Sequence, residues 1–457
     1  MADNNVDTIA AIATPPGYGG IGIIRVSGPD AKDIANKILQ RSITPRTAAY
    51  SSFYNSDNDV IDEGVAIYFP GPASFTGEDV LELQGHGGPV VLDQMLSEVY
   101  SCGARPALPG EFSKRAFLND KMDLTQAEAI ADLINANTAK AASSAMKSLQ
   151  GVFSNNVSSF LAELVRLRVF VESSLDFTDE EIDFLSEGHI VDDLNALLLQ
   201  INKTIQSAKQ GLLLQNGFSL VILGEPNAGK SSLLNTFTKR ESAIVTDIPG
   251  TTRDVLRESI QINGVPVHLI DTAGLRVSGD VIEQEGIKRA WNEVKTADIV
   301  MIIVDSLHKN SESLNGHISQ VECHAPDAKI VVVFNKIDLI KEDPSVNTTS
   351  NPASIAISIK DNSGIDQLKS YLLDLVGYND HVGTAEGEFS ARNRHIESLK
   401  NACSYIKNGL DHYKSSQAVE LLAEDLKIAQ RHLSEITGAY SNEDLLGDIF
   451  SSFCIGK

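Results

Sequence analysis

One eight-residue string, Gly224-Glu-Pro-Asn-Ala-Gly-Lys-Ser231, constrains this chain more than any other feature. It has the spacing G-x-x-x-x-G-K-S/T, follows the apolar run Ser219-Leu-Val-Ile-Leu223 and precedes a helical run. Strand, glycine turn and helix in that order make a phosphate cradle. The glycines let the chain wrap closely, successive backbone N–H groups converge on phosphate oxygens, and the helix N-terminus adds a positive partial charge. Lys230 is then placed to reach the β- and γ-phosphates, and Ser231 to ligate Mg²⁺. A loop of this kind needs an α/β framework, and the surrounding sequence supplies one. Val267-His-Leu-Ile270, Ile299-Val-Met-Ile-Ile-Val304 and Ile330-Val-Val-Val-Phe334 are continuous apolar runs, the pattern of parallel strands buried on both faces.

Two further strings fall at the ends of such strands. Asp271-Thr-Ala-Gly274 offers a carboxylate for water-mediated magnesium binding and a glycine N–H for a terminal phosphate. Asn335-Lys-Ile-Asp338 offers, at Asp338, a carboxylate able to accept both N1–H and the exocyclic amino group of guanine, a donor pair that adenine lacks on that edge. In this order and spacing the three strings resemble the GTPase superfamily. That resemblance assigns the last base-contacting loop to Ser358, Ile359 and Lys360, with isoleucine where alanine is usual. The expected nucleotide contacts are Asn227, Ala228, Gly229, Lys230, Ser231, Ser232, then Thr246, Asp247, Ile248, Pro249, Gly250, Thr251 and Thr252, then Asp271, Thr272, Ala273, Gly274, Asn335, Lys336, Asp338 and the 358–360 loop.

Hydrolysis needs a group that positions water. Small signalling GTPases place a glutamine directly after this Asp-x-x-Gly string; here the residue is Leu275, which cannot orient water. Asp280, Glu283 and Glu285 follow it, and any of them could align water or form a solvated acidic face. The Asn227 side chain and nearby carbonyls would make an oxygen-rich nook for a monovalent cation acting in place of an arginine finger, with Thr252 the second magnesium ligand.

Around this segment the character of the chain changes. Residues 1–119 hold short strand-length runs (Thr8–Ala13, Ile21–Val26, Val65–Phe69, Val80–Gln84), turn clusters at Pro15–Gly20 and Pro70–Pro72, and helical spacing from Val90 to Tyr100. From Leu124 a long alanine-rich stretch has helical period, opened by a capping box predicted at Thr125 and Glu128. A second helix is expected over Ile190 to Leu214, an acidic connection over Asp176 to Asp183, and helical periodicity again from Phe389 towards 437. The expected architecture is multidomain α/β: an N-terminal α+β domain (1–119), an all-α domain in two segments (120–216 and 379–457) and an inserted P-loop α/β domain (217–378). Two independent helical domains are the alternative. The net charge of −23 is spread over all four segments, which argues against a broad phosphate-backbone surface. No apolar run reaches membrane-spanning length, and the polar N-terminus predicts no signal peptide. Four cysteines without CxxC spacing predict neither disulfide framework nor zinc site, hence a cytoplasmic protein.

Several strings together make the resemblance specific: Pro15-Pro-Gly-Tyr-Gly-Gly-Ile-Gly-Ile-Ile-Arg25, Phe75-Thr-Gly-Glu-Asp-Val-Leu-Glu-Leu-Gln-Gly-His-Gly-Gly88, Pro109-Gly-Glu-Phe-Ser-Lys-Arg-Ala-Phe-Leu-Asn-Asp-Lys121, Thr251-Thr-Arg-Asp254 and Phe453-Cys-Ile-Gly-Lys457. From end to end the chain resembles the bacterial tRNA-modification GTPases of the MnmE/TrmE type. That resemblance implies a tetrahydrofolate-binding, dimerising N-terminal domain, a helical domain and an inserted G domain. It implies a K⁺-stimulated GTPase working as a homodimer with an FAD-containing flavoprotein of the MnmG/GidA type, in a heterotetramer or larger complex. The product would be an aminomethyl or carboxymethylaminomethyl group on C5 of the wobble uridine of certain tRNAs. By motif it carries K⁺ to Asn227, Thr246, Ile248 and Thr251, Mg²⁺ to Ser231 and Thr252, and water orientation to Glu283. It carries 5-formyl-tetrahydrofolate contacts to Arg25, Glu82, Lys121 and Lys457. Catalytic candidates are Glu283, Lys230 and Cys454. Cys454 is either a thiol presented at a one-carbon site or a packed small hydrophobe, and the tail is a poor prenylation box. His86, between glycines, either approaches a ligand or serves a turn. The rival function is a non-catalytic, GTP-switched assembly or ribosome-biogenesis factor, which would have no use for the folate residues.

Overall fold

The computed structural model describes residues 7–176, 190–240, 257–270, 294–309, 312–378, 389–439, 443–451 and 453–456. These residues divide into two compact units, one made of 1–131, 157–168 and 423–457, the other of 132–156 and 169–422.

The first unit is built on a six-stranded sheet. Its strands are β1 (Ile9–Ile12), β2 (Gly19–Ser27), β3 (Ala49–Tyr54), β4 (Val60–Phe69), β5 (Val80–Gly87) and β6 (Arg105–Pro106), in the order β3-β4-β5-β2-β1-β6. All neighbours are antiparallel except β1 and β6. The helices Ala31–Leu39 and Pro89–Ser101 cover one face. Ile34, Ile38, Leu92, Met95 and Val99 bury against Ile24, Val26, Leu81 and Leu83 there. A separate cluster joins Leu124 and Ala127 to Leu446, Ile449, Phe450 and Phe453 from the far end of the chain. The C-terminal tail is thereby held beside the N-terminal sheet.

The predicted capping box is displaced by two residues. Asp123 Oδ1 accepts from the Gln126 N–H at 3.0 Å, and the Gln126 side chain accepts in return from the Asp123 N–H at 3.0 Å. Aspartate is a strong N-cap, so the helix Leu124–Ile134 starts behind it and Thr125 is already helical, donating its hydroxyl to Asp123. The long helical stretch is three helices, Leu124–Ile134, Ala139–Leu149 and Val152–Asp176. Thr138 restarts the second by capping Ala141, and Gly151, at φ +89°, separates the last two. Most of the acidic connection lies outside the described residues.

The second unit is built on a seven-stranded sheet in the order β12-β13-β11-β10-β7-β9-β8. The strands are β7 (Phe218–Gly224), β8 (Arg257–Ile262), β9 (Val265–Ile270), β10 (Ile299–Asp305), β11 (Lys329–Asn335), β12 (Ser345–Asn347) and β13 (Ala353–Ala356). The four apolar runs read as parallel strands are parallel, and β13 joins them. Only the edge strands β8 and β12 run antiparallel. Residues of alternate parity feed separate cores on the two faces, for example Leu220, Ile222, Met301 and Ile303 on one and Val221, Leu223, Val300 and Ile302 on the other. The helix Ile190–Asn216 buries Leu194, Leu197, Leu198, Ile201 and Ile205 as its spacing predicts, and packs on Asn393–Ser416. The stretches flanking the α/β segment meet where Phe153 stacks on Phe389 at 4.8 Å and Ser148 Oγ donates to the Ser390 carbonyl at 2.9 Å.

Candidate functional site

The phosphate loop runs from the end of β7 into the helix Lys230–Arg240. Its close wrap is forced by glycine at two positions. Gly224 has φ +143°, and a Cβ there would stand 2.2 Å from the Ile303 carbonyl; Gly229 has φ +111°, and its Cβ would strike Asn335 Nδ2 at 2.3 Å. Asn227 holds the left-handed conformation at φ +63° with its side chain exposed at the loop's outer turn. Lys230 Nζ folds back over the loop, donating to the Gly224 carbonyl at 2.6 Å and the Glu225 carbonyl at 2.8 Å. Ser231 and Ser232 are exposed in the helix's first turn, with the dipole's positive end. Ala228 is buried under the loop.

Asn335 ties the loop to the base-recognition elements. It ends β11, is buried, donates from Nδ2 to the Ala228 carbonyl at 2.8 Å and accepts at Oδ1 from the Ile359 N–H at 3.2 Å. Three residues later, Asp338 accepts from Ser358 Oγ at 2.8 Å and has Lys360 Nζ 3.8 Å away. The Asn335, Asp338 and 358–360 elements named from sequence are therefore one contiguous surface at the carboxyl ends of the parallel strands, where α/β sheets place their ligands. Lys336, at φ +68°, swings away to pair with Asp305 at 2.8 Å. Burial pushes the Asp305 carboxyl up, but hydrogen bonds from Lys336 and the Leu307 N–H prevail and hold it below the usual range. Asp305 is absent from the sequence-derived set. Its only signal was a carboxylate closing the apolar run of β10. Thr246, Asp247, Ile248, Pro249, Gly250, Thr251, Thr252, Asp271, Thr272, Ala273, Gly274 and Glu283 lie outside the described residues, as does Lys457.

In the first unit the structure brings Arg25 and Glu82 face to face across β2 and β5. Arg25 Nε and Nη2 donate to Glu82 Oε1 at 3.1 and 3.0 Å, and Nη1 reaches the Gly456 carbonyl at 3.4 Å. The guanidinium lies over the rings of Phe75 and Phe112, 5.3 and 5.9 Å from their centroids. Sequence reasoning quoted both phenylalanines inside motif strings without giving them a role. Lys121 donates to the Pro72 carbonyl at 3.0 Å, on the same loop that carries Phe75. Cys454 is exposed, which removes the packed-hydrophobe reading, and its carbonyl accepts from the Gly110 N–H. His86 lies on a strand, not in a turn. Its Nδ1 and backbone N–H both bind Asp62 at 2.7 Å, and Gly85 is small because a Cβ would meet Asp62 Oδ2 at 2.4 Å.

The chain matches two family profiles, "GTP-binding protein TrmE N-terminus" over residues 8–121 and "MnmE helical domain" over residues 124–454. Among curated proteins, the "tRNA modification GTPase MnmE" of Saccharophagus degradans is 52% identical over 459 residues, covering 100% of both chains. The chain belongs to the MnmE family. The MnmE of Hydrogenovibrio crunogenus is 51% identical over 99% of both chains. Among solved structures, the G domain of the T. maritima FeoB iron transporter aligns at 20% identity over 35% of this chain and 98% of its own, with a TM-score of 0.26. No helix among the described residues is long and apolar enough to cross a membrane.

Proposed function

We propose that this chain is a GTP hydrolase whose switch cycle serves tRNA modification in the cytoplasm. The observation that carries the nucleotide assignment is the Asn335 bridge: one buried side chain joins the glycine cradle at Ala228 to the loop that orients Asp338. The cradle is shaped for phosphate, since Gly224 and Gly229 leave no room for a Cβ. Asp338, only 12% exposed and oriented by Ser358, selects guanine. Mg²⁺ would be held by Ser231 and Thr252, and K⁺ by Asn227, Thr246, Ile248 and Thr251. These ions would supply the positive charge that no arginine finger provides, with Glu283 orienting water. We read the domains as 1–119, a helical domain from 120–216 and 379–457, and a G domain at 217–378.

The N-terminal site supports a substrate role over a purely regulatory one. Arg25 offers a guanidinium to a carboxylate, and Glu82, whose Oε1 holds Arg25 and whose Oε2 accepts from Gln84 Nε2 at 3.5 Å, has lone pairs suited to the N–H groups of a pterin. We read this as a 5-formyl-tetrahydrofolate site completed by Lys121 and the tail, with the exposed Cys454 thiol at its edge. On this reading a homodimer works with an FAD-containing MnmG-type flavoprotein to install an aminomethyl or carboxymethylaminomethyl group on C5 of the wobble uridine. The net charge of −23 leaves most of the tRNA-binding surface to the partner. The test is mass spectrometry of wobble nucleosides from cells lacking the chain, beside GTP and ATP turnover by the purified protein. Loss of the C5 modification with GTP-selective hydrolysis supports the reading; intact nucleosides, or turnover indifferent to the base, reject it.

A further inference from the structure

Ile359 reaches toward the phosphate loop with an atom that a smaller side chain would lack. Ile359 Cδ1 lies 3.3 Å from the position a Cβ on Gly229 would take, so the isoleucine fills the space beside that glycine. The side chain is half-buried and packs against the core cluster that includes Ala228, Leu233 and Ile357. Its backbone N–H is the donor held by Asn335 Oδ1 at 3.2 Å, while Asn335 Nδ2 holds the Ala228 carbonyl at 2.8 Å. Residue 359 is thus linked to the phosphate loop twice, by a side chain that fills the space beside Gly229 and by a two-bond bridge onto Ala228. Its neighbour Ser358 is joined to Asp338 at 2.8 Å.

We propose that Ile359 is a nucleotide-positioning residue that props the base-recognition loop against the phosphate loop, so that the grip on guanine and the grip on the diphosphate are released together. Alanine at this position keeps the N–H donor, and with it the bridge through Asn335, but has no γ or δ carbons to reach Gly229. Without the prop, each loop can open by itself, and a bound nucleotide leaves through a half-open site. The side chain is wholly apolar, so it offers no hydrogen bond by which one purine is told from another. Its removal therefore changes the rate of release and leaves the choice of base, made at Asp338, as it was. This inference rests on the guanine-nucleotide reading of the same site.

The test uses the full chain and fluorescent GDP in a stopped-flow chase, with wild type, Ile359→Ala and Ile359→Val. Loss of the packed carbons should speed GDP release about tenfold in Ile359→Ala, with valine between. The affinity ratio of GDP to inosine diphosphate, which lacks the exocyclic amino group, should match wild type in both variants; the melting temperature of the nucleotide-free protein should fall in Ile359→Ala, which loses core packing, and stay close to wild type in Ile359→Val, which keeps most of it. Wild-type release rates in Ile359→Ala overturn the proposal. So does faster release accompanied by a lowered GDP-to-inosine diphosphate ratio, which would put Ile359 in base selection, or confined to Ile359→Ala while Ile359→Val releases at the wild-type rate, which would make the contact merely structural. Failure of wild type to prefer GDP over ADP would instead reject the guanine reading itself, so the two failures are told apart.

Discussion

The Gly456 carbonyl accepts a hydrogen bond from Arg25 Nη1 at 3.4 Å across 431 positions of sequence. The tail reaches that point because Phe453 is buried among Leu124, Phe450 and their neighbours, and because Gly456 adopts φ +94° against β1. A Cβ on Gly456 would stand 2.4 Å from the Ile12 carbonyl and 3.0 Å from Ala13 Cα. Two short strings at opposite ends of the chain therefore meet.

Gly456→Ala should lift the tail from β1, since the new methyl meets backbone and the left-handed conformation is strained. The expected outcome in calorimetry is formyl-tetrahydrofolate affinity lowered about tenfold, with GTP turnover by the isolated protein near wild type. Arg25→Ala is the reference, and should abolish measurable heat by removing a charge-assisted contact. Undiminished folate affinity in Gly456→Ala would take the tail out of the site.

Asp338→Asn replaces an acceptor-only carboxylate with an amide that presents donors. Two charge-assisted hydrogen bonds to guanine are weakened, each worth about 1.5–3 kcal/mol. Competition binding should show guanine nucleotide affinity down by roughly 100-fold or more, and xanthine nucleotides, with a carbonyl where guanine has its amino group, gaining relative to guanine. An unchanged guanine preference would place base selection elsewhere.

The cation reading makes a kinetic prediction. Replacing K⁺ by Na⁺ should lower GTP turnover sharply, because the smaller ion fits a site of fixed oxygens poorly. Glu283→Ala should retain nucleotide affinity while losing hydrolysis, a drop in kcat at similar KM. Steady-state rates in the two salts and nucleotide binding by the variant measure both. Equal rates in the two salts remove the ion from the mechanism, and normal turnover removes Glu283.

Glu111 is 8% exposed and binds Arg105, Arg115 and the Leu108 N–H, while Arg115 also binds Glu78 and Asp7. Burial pushes its carboxyl up, but the Arg105 hydrogen bond, the Leu108 N–H and Arg115 prevail and hold it below the usual carboxylate range. A carboxyl held low contributes stability that is present above its unfolded value near 4.3 and lost as pH falls through its folded value. Glu111→Gln should destabilise the first unit by about 1–2 kcal/mol at pH 7, because charge-assisted hydrogen bonds become neutral ones while Arg105 keeps Asp7 and Arg115 keeps Asp7 and Glu78. In urea titrations the gap between wild type and variant should narrow as pH falls below about 4. A gap unchanged down to pH 2.5 would contradict the linkage.

Much of the nucleotide site was legible in the sequence because its chemistry is local. A strand, a glycine wrap and a helix N-terminus are contiguous in chain, so Gly224 to Ser231 declares phosphate binding without tertiary information. The parallel strands were legible for a similar reason, since burial on both faces leaves unbroken apolar runs. Capping was less legible. Asp123 and Thr125 are both plausible caps two residues apart, and only the hydrogen bonds of Gln126 distinguish them. The sequence by itself determined the α/β framework, the place of the Asn335-Lys-Ile-Asp338 string at the end of a parallel strand and the acidic character of the chain. The tertiary structure alone decided that Asn335 spans two loops, that Ile359 fills the space beside Gly229, that Lys336 pairs with Asp305, and that Arg25 sits over Phe75 and Phe112 and binds the returning tail. Those are contacts between segments tens to hundreds of residues apart. Their partners follow from packing, where shape and burial act at a distance in sequence that no local pattern encodes.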